Sequence, residues 1–271
     1  MLPFSLLKWR GSAGLRPTKM ILPTKHGFSL KVTEGSYFAG VLQKTQSYED
    51  VETSLVARLV RSGDFCVDAG CYVGYYACFM AQRGARVLAV DANPGMYELA
   101  KSNVALNRFE DRVQVLHAAL ADREYDAEFH LPSQFDDGWG SLAAADDAGR
   151  GDIQVPARLL RNLLQQHTGR IRLIKMDIEG AELLALRGLG DRIQDVDFLL
   201  VECIDIPARM WLGSSASGIS QLLVQEFGFQ AWRYRRARWP FRKAGWKPVR
   251  TVTSRGDHSY LFVNPGVAMQ L

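Results

Sequence analysis

Long apolar runs are missing from this 271-residue chain. No stretch approaches the roughly 20 residues that a membrane-spanning helix needs. The first ten residues, MLPFSLLKWR, hold a short apolar patch, but no basic residue precedes it and no small-residue cleavage site is evident. It reads as an N-terminus that is not cleaved. Cysteine is scarce as well. Cys66, Cys71, Cys78 and Cys203 form no CxxC pair, and no histidine cluster accompanies them. That argues against a zinc or dithiol framework and leads us to expect reduced thiols in a cytoplasmic protein, with no metal.

Acidic residues are absent from two segments. Residues 1–33 hold six Lys/Arg, and residues 229–256 hold nine, with no Asp or Glu in either. Together they take 15 of the 33 basic residues and none of the 29 acidic ones, so the remainder carries 18 against 29, a balance of −11. The formal charge of +4 therefore describes an acidic domain with two basic stretches. A uniformly basic nucleic-acid binder is not indicated by the charge alone.

What is present is alternation. Residues 1–47 read as an irregular, basic lead-in with one strand at 28–33. One larger domain over 48–271 follows, opening with helix-period apolar positions in 48–60. Strands are expected at 65–69, 86–92, 112–120, 170–177 and 197–204, with a short extra one at 127–132. Helices are expected at 75–84, 94–107, 158–167, 180–189 and 219–228, and closing strands at 229–234 and 259–264. Such a chain folds as an open α/β sheet, mostly parallel, with helices on both faces and an antiparallel pair at one edge. Ligands of these sheets bind beyond the carboxyl ends of the strands.

The first strand runs into VDAGCYVGYY, residues 67–76. Its glycines, Gly70 and Gly74, suggest a nucleotide turn. The middle glycine of the dinucleotide fingerprint is missing, because Tyr72 stands there. An acid, Asp68, ends the strand, and a carboxylate repels a pyrophosphate but attracts a cation. S-adenosylmethionine fits: it carries a sulfonium and an ammonium, and no phosphate. Asp91 ends the second strand, where a carboxylate accepts from ribose hydroxyls. Capping of the following helix is the competing explanation for each acid.

The fourth strand ends in IKMDIEGAE. Asp177 at its tip is the leading candidate for a general base, with Glu179 and His258 behind it. Glu179 and Glu182 have a competing role at the N-terminus of the next helix, and His258 as a solvated turn residue. Glu202 interrupts an apolar strand and is a candidate for positioning the acceptor. Segment 205–220 reads as a lid. Residues 231–250 interleave five aromatic with eight basic residues. That pattern suits a solvated hairpin, an anionic acceptor, a carrier-protein partner, a membrane surface or RNA.

These residues resemble the FkbM-type family of S-adenosylmethionine-dependent methyltransferases. VDAGCYVGYYACFMA, VDANP, GWGSL at 138–142, VPARLLRNLL at 155–164 and IKMDIEGAELLALRG carry the resemblance, which covers about residues 50–264. It implies the Rossmann-like class I methyltransferase fold with a seven-stranded sheet, and O-methylation of hydroxyls on sugars or secondary metabolites. It assigns Asp68, Gly70, Cys71, Tyr72, Gly74 and Tyr75 to the cofactor. It adds Asp91, Ala92, Ala119, Leu120, Ser141 and Asp177 to that set. Tyr72, Trp139 and Glu202 are assigned to the acceptor. Three departures stand out: Cys71-Tyr72 where the family has Ala-Asn, Asp91 for Glu, and Arg161 for Asp. The alternatives are a nucleic-acid (RNA) methyltransferase and a non-catalytic S-adenosylmethionine-binding protein; against the first, DIEG stands where an Asn/Asp-Pro-Pro-aromatic motif would be expected.

Overall fold

The computed structural model describes residues 18–131, 152–203, 215–237, 244–253 and 259–268. The chain begins with a hairpin, β1 (Lys19–Pro23) and β2 (Ser29–Thr33), then α1 (Tyr37–Thr45) and α2 (Asp50–Leu59). The βα alternation follows: β3 (Phe65–Ala69), α3 (Tyr75–Gln82), β4 (Arg86–Asp91), α4 (Pro94–Leu106) and β5 (Val113–His117). Three short strands come next, β6 (Ala119–Leu120), β7 (Tyr125–His130) and β8 (Asp152–Arg158), which form a small sheet in the order β6-β8-β7. After the four-residue α5 (Leu160–Leu163) come β9 (Ile171–Met176), α6 (Glu182–Leu189) and β10 (Val196–Glu202). The last elements are α7 (Ala216–Ser220) with a π-helical turn at Gln221–Glu226, then β11 (Gln230–Arg235), β12 (Gly245–Pro248) and β13 (Ser259–Val263).

The main sheet has the order β12-β11-β13-β10-β9-β3-β4-β5. The pairs from β10 through β5 are parallel, while β13 is antiparallel to both β10 and β11. This is the class I methyltransferase arrangement, with one strand, β12, added at the edge to the seven expected. Strand alternation separates two cores. On β10, Phe198 and Leu200 face the side covered by α2, α3 and α4. Leu199 and Val201 face α6 and α7. Residues buried on both faces explain why these strands read as continuous apolar runs.

α4 starts as the sequence indicates: the Asn93 side chain accepts from the Gly95 and Met96 amides, and Pro94 occupies the first turn. Elsewhere the expectations need correction. The segment 1–47 is not irregular over 18–45, where it forms β1, β2 and α1. α4 holds it in place through two asparagines four residues apart, hence on one helix face. Asn107 exchanges hydrogen bonds with the backbone of Ser29, and Asn103 with that of Lys31. Asn103 also donates to the Val73 carbonyl at 2.8 Å, tying β2 to the glycine turn.

The strand expected at 112–120 breaks at Ala118, whose amide donates to the Asp91 carbonyl, and its end leaves for the small sheet. The helix expected at 158–167 shrinks to one turn: Arg158 belongs to β8, and residues 164–166 form a turn. Ser215 caps α7, which starts earlier than expected and passes into the π turn.

Candidate active site

The carboxyl ends of β3, β4, β9 and β10 converge on a cavity of about 270 Å³. Of the residues that sequence reasoning singled out, Asp68, Gly70, Cys71, Tyr72 and Tyr75 line it. So do Asp91, Ala92, Ala119, Leu120, Asp177, Glu179 and Glu202. Gly74 does not. It caps α3 and lies against α4, where a Cβ would sit 3.3 Å from that of Ala100. Trp139, Ser141 and His258 fall outside the described residues, as do most of the expected lid and the tip of the basic segment.

The turn after β3 is shaped by protein–protein contact. Gly70 has φ +78° and lies directly over the Asp177 carbonyl. The amides of Gly70 and Cys71 both donate to the Val90 carbonyl, and the Asp177 amide donates to that of Ala69. The first glycine is thus required by the close approach of two strand ends. Tyr72 follows in the left-handed region, φ +50°, where an asparagine sits at lower cost. Its amide donates to Asp91 Oδ2 at 2.7 Å, and Asn93 donates to Oδ1 at 2.9 Å. Asp91 therefore braces two turns while lining the cavity.

Asp68 is 1% exposed, and its Oδ2 has no hydrogen-bond partner among the described residues. Burial pushes its carboxyl up to about 7, against the pull of Lys175. Burial raises Asp91 to about 7 as well, against the two amides that bond it. An unpartnered, buried carboxylate oxygen on a residue that lines a cavity suits an N–H donor or a cation. This fits the ammonium-bearing, phosphate-free nucleoside that the sequence indicates.

The loop after β9 is drawn tight by Glu182. Its carboxylate accepts from the Ile178 and Gly180 amides at 3.2 and 3.0 Å. Of the two helix-start acids, this one sits in the first turn of α6 and braces the loop before it. Glu179 beside it has φ +55° and lines the cavity. Glu49, before α2, has φ +45° and lines it too. Among the described residues, three of the five non-glycine residues with positive φ thus surround one cavity, a clustering typical of functional sites.

Sequence reasoning missed the wall opposite the strand ends. Phe38 packs edge-on to Tyr72 at 5.5 Å and lies 4.9 Å from Tyr48, while Tyr37 stands 64% exposed. All three aromatics besides Tyr72 come from the lead-in or its junction with α2, and no local pattern marks them. Tyr75 offers the cavity its ring, since its hydroxyl accepts from the Tyr48 amide at 3.2 Å. Lys175 was also missed, although a lysine in the apolar run of β9 is a visible signal. Its Nζ lies 3.2 Å from Asp177 Oδ2.

The profile of the methyltransferase FkbM domain matches residues 68–231, more than half of the chain. The chain belongs to the FkbM methyltransferase family. Methyltransferase sdnD of Sordaria araneosa is 25% identical over 208 residues, covering 66% of this chain and 78% of that protein. Probable protein arginine N-methyltransferase 6 of Arabidopsis thaliana is 38% identical over 86 residues, covering 31% of this chain. The chain spans only 19% of that relative's length. A solved FkbM methyltransferase from Methylobacillus flagellatus KT shares 16% identity with a TM-score of 0.44, covering 74% of this chain and 43% of its own. The FkbM family and the strand order give this chain the class I methyltransferase fold, and the family implies S-adenosylmethionine as methyl donor. No helix among the described residues is long and apolar enough to cross a membrane.

Proposed function

We propose that this protein moves a methyl group from S-adenosylmethionine to a hydroxyl group of a small molecule. The observation that carries this reading is the Asp177 carboxylate on the cavity wall, 3.2 Å from the buried Lys175 ammonium. A bound methyl donor supplies an electrophilic methyl on a cationic sulfur, set up for in-line displacement. Asp68 and Asp91 hold its ammonium and ribose ends. Gly70 and the turn around Tyr72 shape the floor. Asp177 takes the proton that an alcohol must lose, which is the work of a general base. The aromatic wall of Phe38, Tyr48 and Tyr72 excludes water and gives the acceptor a flat surface.

The charge of the cavity supports an uncharged acceptor. Among the described residues, six carboxyl groups line it, Glu49, Asp68, Asp91, Asp177, Glu179 and Glu202, against one ammonium, Lys175. An anionic acceptor or a nucleic-acid backbone would meet like charge there. The basic strands β11 and β12 are better suited to holding an anionic carrier of the acceptor than the acceptor itself.

The test is incubation with S-[methyl-³H]adenosylmethionine and fractionated small-molecule extract. Label in a product that resists alkali, as an ether does, supports O-methylation. Label that appears only in RNA or protein overturns the reading.

A further inference from the structure

Among the described residues that line the cavity, Lys175 is the one ammonium, and the register of the sheet explains its place. It lies beside Asp68 on β3 and beside Leu200 on β10. Glu202 is two residues beyond Leu200, on the same face of the sheet. Helix α2 covers this face with Glu49 before its first turn and Glu52 within it, and α3 covers it with Tyr76. The Lys175 side chain is 7% exposed, and its ammonium lies 4.8 Å from the centre of the Tyr76 ring. The Tyr76 hydroxyl donates to Glu49 Oε2 at 2.8 Å. A pocket of about 10 Å³, roughly one water in size, lies behind the lysine between Glu49, Glu52, Glu202 and Ser259.

Burial disfavours the lysine's charge, but Asp177, Glu49, Asp68 and Glu202 outweigh it and keep the proton on. Tyr48 and Tyr76, whose hydroxyls burial pushes up, complete the titratable groups around it. Asp177 and Glu202 line both this small pocket and the main cavity, together with Lys175. Two carboxyls in such a pair do not both ionise at ordinary pH, so one holds a proton. Burial, and then the charge of Asp177, raise Glu202 well above the ordinary carboxyl range, with Glu179 adding to the effect.

We propose that Lys175 is a positioning residue that settles this proton on Glu202 and keeps Asp177 ionised toward the cavity. The inference rests on Asp177 being the base, as argued above. In the transfer, the acceptor's oxygen forms a bond to the methyl carbon as the carbon–sulfur bond breaks, its electron pair staying on sulfur. The hydroxyl proton passes to Asp177 and then to water. Lys175 sets the pH at which Asp177 is free to take that proton.

The test needs no acceptor. Carboxyl ¹³C signals of Asp177 and Glu202, assigned through Asp177→Asn and Glu202→Gln, are titrated by NMR. In the wild type, Asp177 titrates in the acid range and Glu202 far above it. In Lys175→Met the Asp177 midpoint moves up by about one pH unit or more, and in Lys175→Arg it stays near the wild-type position. An unchanged Asp177 midpoint in Lys175→Met overturns the inference. If Lys175→Met does not fold, Glu202→Gln decides. Loss of the high-pH titration with Asp177 still acidic supports the assignment, and a high-pH titration that persists on Asp177 overturns it. S-adenosylhomocysteine binding by the wild type is measured alongside. If it fails to bind, the cofactor site itself is misread. If it binds and the titration fails, only the role of Lys175 falls.

Discussion

A Cβ placed on Gly70 would lie 1.8 Å from the carbonyl oxygen of Asp177. The turn that carries the proposed cofactor residues and the strand end that carries the proposed base are thus in direct backbone contact. Gly70→Ala must push them apart and also strain a residue at φ +78°. We predict a loss of about 3 kcal/mol or more in urea unfolding, together with loss of S-adenosylhomocysteine binding. A variant of wild-type stability that still binds would contradict the contact.

Asn103 is fully buried and bonds the backbone of both Lys31 and Val73. Asn103→Ala leaves three backbone groups without their partner. A destabilisation of about 3 kcal/mol follows, since each buried unpaired group costs about 1–3 kcal/mol. Thermal unfolding measures it, and a change under about 0.5 kcal/mol would show that β2 is not anchored by this residue.

Asp68 and Asp91 are both raised to about 7, so the free protein holds protons there that its unfolded chain releases near the usual 3.8. Their contribution to stability is complete below about 4 and is lost as pH rises to about 7. A cationic ligand favours the ionised forms. S-adenosylmethionine binding at pH 6 should therefore release protons, its affinity should rise toward pH 8, and the release should vanish at pH 9. Calorimetry in buffers of different ionisation enthalpy counts the protons. Asp68→Asn should release fewer; an identical count in that variant would remove Asp68 from the cofactor site.

Tyr72 stands at φ +50° with its ring against Phe38 and its amide on Asp91. Tyr72→Asn keeps the amide and eases the backbone, so cofactor affinity should change less than about threefold while the acceptor spectrum changes. A collapse of cofactor affinity with an unchanged acceptor spectrum would place the tyrosine ring on the cofactor instead.

The parallel strands were legible because their information is local: buried runs of apolar residues ending in acids, with glycine and proline at the turns. α1 and β1 were not: β1 forms by pairing with β2, which Asn103 and Asn107, some 70 residues away, hold in place. Pro156 concealed β8, since proline argues against a strand until the partners β6 and β7 are known. The leucines of 158–167 suggested more helix than the four residues the chain forms. In the site, acids at strand ends pointed to the cavity, but the aromatic wall arrives from the lead-in by tertiary packing alone. Lys175 was readable as a charge inside an apolar strand, the signal that did single out Glu202.

The account rests on Asp177 acting in transfer rather than in holding the cofactor. Asp177→Asn, assayed with S-[methyl-³H]adenosylmethionine and the extract fraction that the wild type labels, measures this directly. We predict that binding of S-adenosylhomocysteine stays within about threefold of wild type while label incorporation falls by about 100-fold or more. Incorporation at the wild-type rate would contradict the account.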